Sequence, residues 1–135
     1  MVSGSDARAP SLADIEALAA EALAAIPEPF HTALTGVVIR VAEFADDETL
    51  DAMQIENAFE LTGLYRGTAL TERSVADWGG LPDEIWLYRR PILDEWAERG
   101  DVGLAALVRH VLIHEAAHHF GWSDEDIAAV DDWRL

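Results

Sequence analysis

Apolar positions set out the elements of this chain. Leu12, Ile15, Leu18, Ala19, Ala22 and Ile26 recur at helical spacing, so one face of a first helix is expected to be buried. Ser11 followed three residues on by Asp14 reads as a capping box at its start, and Pro27 and Pro29 read as its stop. The period then changes. GVVIRVAEF (36–44) is short and rich in β-branched residues, which suggests a strand, and the acidic stretch Asp46 to Asp51 reads as a loop or a short helix. LTGLYRGTAL (61–70) looks like a second strand, Gly79 and Gly80 mark a turn, and EIWLYRR (84–90) reads as a third strand stopped by Pro91. Ile92 to Glu98 fits a short helix. Asp101 is placed to cap a longer helix in which Leu104, Leu107, Val108, Val111, Leu112 and Ala116 form an apolar stripe. Gly121 fits the left-handed position that ends such a helix, and Ser123 with Asp126 reads as the capping box of a last short helix, Asp124 to about Val130.

Half of the 135 residues are apolar, enough for one hydrophobic core and too few for two domains, so residues 11–135 are expected to form a single unit. Residues 1–10 are small and polar and are expected to be disordered. No segment repeats. Charge narrows the partners: 26 acidic residues against 9 basic ones give a formal charge of −17, a field that repels phosphate backbones and anionic lipid headgroups. Nucleic acid and membranes are therefore poor partners. The N-terminal stretch lacks the apolar core of a secretory signal, and no apolar run approaches the roughly 20 residues that span a bilayer, so a soluble, cytoplasmic protein is expected. Every basic residue is arginine and cysteine is absent, which removes Schiff-base lysines, thiol nucleophiles and thiolate metal sites. Any metal here must be held by imidazole and carboxylate.

The sequence HEAAHHFGWSD, from His114 to Asp124, meets that requirement. His114 and His118 are four residues apart, one helical turn on one face, so two imidazoles can converge on one ion. Glu115 lies about 100° further round the helix, beside the ion without being its ligand, where a general base for a metal-activated water belongs. A catalytic zinc takes three protein ligands and keeps a position open. Asp124 is the candidate for the third, because Gly121 lets the backbone reverse and a carboxylate three residues later can swing back toward the histidines. Two imidazoles and one carboxylate make a zinc-type site, so one zinc ion per chain is expected. Shuffling this composition gives HExxH in roughly 2% of sequences, and with the glycine and aspartate at these offsets the figure falls to on the order of one in ten thousand.

HEAAHHFGWSDED, GLYRGTALTERS (63–74) and LPDEIWLYRRPI (81–92) together resemble the small bacterial zincin-like metallopeptidases, a family of minimal zinc proteases, over about Ile15 to Val130. The resemblance implies an α+β, zincin-like fold, with a small mostly antiparallel or mixed sheet of about three strands flanked by helices. It also implies His114 and His118 as zinc ligands, Glu115 as catalytic residue and Asp124 as third ligand. Metzincins follow a similar spacing with a methionine turn. No methionine follows Asp124 in this sequence, so the floor of the site is expected to be built differently.

Other residues admit two readings. His110 precedes His114 by one turn on the same face, as a support to a ligand, a substrate contact or a plain polar helix residue; His119 points about 100° away from His118 and is a weak alternative ligand. Tyr65 and Tyr88 are oxyanion-stabilising candidates or strand packing residues. The expected activity is hydrolysis of a peptide or protein substrate, with Glu115 taking a proton from water and returning it to the leaving amine. An exposed edge strand, such as one containing Val38 or Leu87, would hold an extended substrate. The alternative is a non-catalytic metal-binding or partner-binding domain on the same scaffold. Neither the substrate nor the oligomeric state can be read from the sequence.

Overall fold

A computed structural model describes residues 9–67 and 82–122 of the chain. Residues 1–8, most of the stretch expected to be disordered, lie outside the described residues, as do the turn at Gly79 and Gly80 and the last short helix.

Helix α1 runs from Leu12 to Ala24, and its capping box is the one read in the sequence: Ser11 Oγ accepts from the Asp14 N–H while Asp14 accepts from the Ser11 N–H. Those two bonds satisfy donors that have no partner inside the helix. A single turn, α2 (Phe30–Ala33), precedes β1 (Val38–Ala42). The acidic stretch resolves as a short helix, α3 (Asp47–Ala52), whose first turn is capped by the Asp46 side chain accepting from the Thr49 N–H. After a 3₁₀ turn at Ala58–Glu60 come β2 (Gly63–Arg66) and β3 (Glu84–Tyr88), then α4 (Arg89–Arg99) and α5 (Leu104–His119).

The described strands form one mixed sheet in the order β1-β3-β2, with β1 parallel and β2 antiparallel to β3. Helices on a small mixed sheet make the fold α+β, as expected. Among the described strands Leu87 sits in the central one, so of the two strands suggested for substrate binding only that of Val38 lies on the outside; β2 is the other outer strand.

Register assigns the two sheet faces. Ile39 opposite Ile85, Val41 opposite Leu87, and Gly63 and Tyr65 of β2 share the face that α1 and α5 cover. There Ile15, Ile85, Leu87, Ile92, Leu107, Val108 and Leu112 are at most 1% exposed and make the main core. The opposite face carries a smaller cluster around Leu50, Leu61 and Tyr88, with Leu64 and Trp86 packed on it. Trp86 is flanked by the guanidinium groups of Arg40 and Arg66, 6.0 and 5.8 Å from its ring. Among the described residues, no helix is long and apolar enough to cross a membrane.

Two boundaries differ from the sequence reading. Pro91 does not stop a strand; it lies in the first turn of α4, where a missing N–H costs no intrahelical bond, and β3 passes into the helix at Arg89 without a loop. Asp101 does not cap α5. Gly100, left-handed at φ 74°, ends α4, and the helix starts only after Gly103, whose N-cap position has no side-chain hydrogen bond.

Candidate functional site

The chemistry of the chain is concentrated on α5, on two neighbouring rows. His110, His114 and His118 occupy one row at four-residue spacing; Val111, Glu115 and His119 occupy the next, about 100° round the helix. All of His110, His114, Glu115 and His118 are partly buried, whereas His119 is 3% exposed.

On the first row the rings of His114 and His118 stand 5.1 Å apart at 77° to each other, which is the approach two imidazoles need to share an ion. The end of the helix fixes the second of these rings. Gly121 takes φ 84°, a left-handed conformation that only glycine adopts without strain, and the chain turns back on itself. Its N–H bonds the His118 carbonyl and the Trp122 N–H bonds the Ala117 carbonyl, the paired closure of a Schellman motif. The turn brings the Trp122 carbonyl to 3.2 Å from His118 Nδ1. A carbonyl only accepts, so Nδ1 carries the proton, and Nε2 is the nitrogen that presents a lone pair. Metal-binding histidines are held this way, with one ring nitrogen donating to the protein and the other facing the metal.

The residues present therefore fit a zinc ion in part. The described residues supply two imidazole donors, and among them no group of three histidine, cysteine or acidic side chains is gathered around one point. Asp124, the expected third ligand, lies outside the described residues. Trp122, two positions before it, runs beside His118.

The second row is held by the sheet. Glu115 lies against β2 at Gly63: a Cβ built on that glycine would meet Glu115 Cγ at 3.3 Å and Val111 Cγ1 at 2.7 Å. One turn on, His119 is clamped at both ring nitrogens. Nε2 donates to the Ala33 carbonyl at 3.2 Å, and Nδ1 lies 3.0 Å from both the Tyr65 hydroxyl and Asp83 Oδ2. The Tyr65 hydroxyl in turn donates to Asp83 Oδ2 at 2.7 Å. With both nitrogens committed inside the core, His119 is not placed to ligate a metal on the histidine row.

This cluster also removes Tyr65 as an oxyanion group, since its hydroxyl faces Asp83 and His119. Tyr88 stands on the opposite sheet face and is 2% exposed. Burial pushes its phenol up to about 12, a shift that Asp46, Glu115 and Glu84 reinforce and Arg66 opposes.

Asp83 and Gly63 escaped the sequence reading. Asp83 left no local signal, because its partners Tyr65 and His119 are far away in the chain. Gly63 did leave one: a glycine inside a strand of large side chains marks a close approach of another backbone or element.

Compared with known proteins, the chain matches the sequence profile described as zincin-like metallopeptidase over residues 34–134. That span includes the three described strands and the whole of α5. No curated protein sequence matches it.

Proposed function

The chain belongs to the zincin-like metallopeptidase family, and from that premise we propose that it is a zinc-dependent peptidase in which His114, His118 and Asp124 hold one zinc ion and Glu115 is the general base. The observation that carries the reading is the pairing of the two rows: converging imidazoles on one, and on the next, one residue away, a carboxylate set beside an outer strand of the sheet.

Each residue then has a definite task. His114 and His118 donate imidazole nitrogen lone pairs, with His118 oriented by its Nδ1–H bond to the Trp122 carbonyl. The reversal at Gly121 directs the chain back along that histidine, which favours Asp124 as the carboxylate donor. When bound, zinc would supply the Lewis acid that polarises a peptide carbonyl and lowers the pKa of water toward about 7. The Glu115 carboxylate takes the proton from the attacking water and passes it to the leaving amine. Strand β2 has one edge unpaired among the described strands and passes beside Glu115, so it is the strand to hold an extended peptide by main-chain hydrogen bonds. With a formal charge of −17 on the chain, peptides rich in arginine or lysine near the scissile bond are the favoured substrates, a preference that should fade as salt screens the field.

Elemental analysis of protein purified without added metal tests the metal site. The expected result is one zinc per chain, with Asp124→Ala weakening zinc binding as severely as His118→Ala. If zinc is absent and zinc titration fails, the reading falls. If zinc is present and a broad peptide library is untouched, the non-catalytic metal-binding domain takes its place.

A further inference from the structure

Gly63 has no conformational reason to be glycine. It opens β2 with a φ outside the left-handed region. Its reason is space. Besides the contacts with Val111 and Glu115, a Cβ at this position would stand 3.1 Å from the Trp86 carbonyl oxygen. Two of these neighbours do not give way easily: Val111 is 4% exposed and β-branched, hence stiff in a helix, and the Trp86 oxygen belongs to the central strand. An added methyl would therefore push α5 away from β2, and Glu115 lies on the row that would be displaced.

The same row is fastened again one turn further on. Tyr65, two residues along β2 and on the same sheet face as Gly63, meets His119, and Asp83 closes the cluster just before β3. Glu115 is thus bracketed by two attachments of its helix to one strand, Val111 on Gly63 before it and His119 on Tyr65 after it.

We propose that Gly63 and the Tyr65–Asp83–His119 cluster are positioning elements for Glu115, holding its carboxylate in register with β2 and with the carbonyl of a peptide bound along that strand. The link from Gly63 to Glu115 is a matter of packing; only the link to a bound peptide rests on the peptidase reading. A displacement of about 1 Å in such a group can cost about 10² in rate, while the histidine row, facing another way, keeps its metal.

The test compares the full-length, zinc-loaded wild type with Gly63→Ala, with Gly63→Ala combined with Val111→Ala, and with Tyr65→Phe. Four quantities are read: zinc affinity by chelator competition, kcat and KM on an arginine-containing peptide that the wild type cleaves, and the carboxyl ¹³C chemical shift of Glu115. For Gly63→Ala, zinc affinity should hold within about threefold, less than the change expected from losing a partner of a ligand. Its kcat should fall about tenfold or more at unchanged KM, and the Glu115 signal should move. Truncating Val111 makes room for the new methyl, so the double variant should recover both kcat and signal. Tyr65→Phe should move the same two readouts in the same direction, and it carries the test if Gly63→Ala does not fold. A Gly63→Ala protein that melts earlier yet keeps wild-type kcat and an unmoved Glu115 signal would overturn the proposal. If the wild type cleaves no peptide, the peptidase reading fails by itself. The carboxyl signal then decides positioning alone: moved and restored supports it, unmoved refutes it.

Discussion

Two neighbouring rows of α5 differ by a single residue step and are built in opposite ways. The row of His110, His114 and His118 stays partly accessible; the rings of His114 and His118 meet each other, and His118 meets the returning chain at Trp122. The row of Val111, Glu115 and His119 is driven into β2, with a glycine making room at one end and a buried polar cluster closing the other. A face that takes an ion from solution cannot be filled by protein atoms. A carboxylate that must point in one direction benefits from being held by them. On the proposed reading, one amphipathic helix meets both demands because successive residues diverge by about 100°.

The sharpest way to break this contrast is to truncate adjacent histidines. His118→Ala should weaken zinc binding by about a hundredfold or more, beyond the cost of losing a ligand's partner, yet change metal-free stability by less than about 1 kcal/mol. His119→Ala should do the reverse. It strips Asp83 and Tyr65 of a shared partner in a site where His119 is 3% and Asp83 7% exposed. A buried polar group that loses a hydrogen-bond partner costs about 1–3 kcal/mol, so a loss of up to about 3 kcal/mol is expected. That is roughly 10 °C in Tm, readable by thermal denaturation. Equal melting of the two metal-free variants would dissolve the distinction between the rows.

A smaller effect sharpens it from the far side of the sheet. The Tyr88 phenol is raised from 10.0 to about 12, chiefly by burial, so its neutral form is favoured by the fold. The associated stability is complete below pH 10 and is lost as the pH climbs through about 12. Alkaline denaturation should begin in that window and be blunted in Tyr88→Phe. Because the negative charge of Glu115 adds to the shift, Glu115→Gln should lower the Tyr88 titration slightly in phenolate absorbance.

What the sequence discloses follows the range of the forces involved. The capping box at Ser11 and Asp14, the apolar stripe of α5 and the stop at Gly121 are written within a few residues and appear where they were expected. So does the juxtaposition of His114 and His118, which needs only helical geometry. Pro91 and Asp101 misled because a residue preference is not a position: proline suits a first helical turn as well as a strand end, and a glycine pair around Asp101 delays the helix. The role of His119 was hidden altogether. Its partners are Ala33, Tyr65 and Asp83, brought together only when α2, β2 and the start of β3 pack against the end of α5.

In the proposed mechanism Glu115 moves protons while the histidine row holds the metal. Replacing it by glutamine keeps size and helix propensity and removes the proton acceptor. Glu115→Gln should fold and retain one zinc per chain, and hydrolyse an arginine-containing peptide about 10² to 10⁴ fold more slowly than wild type. A zinc-loaded Glu115→Gln protein that cleaves the same peptide at the wild-type rate would rule out Glu115 as the proton acceptor.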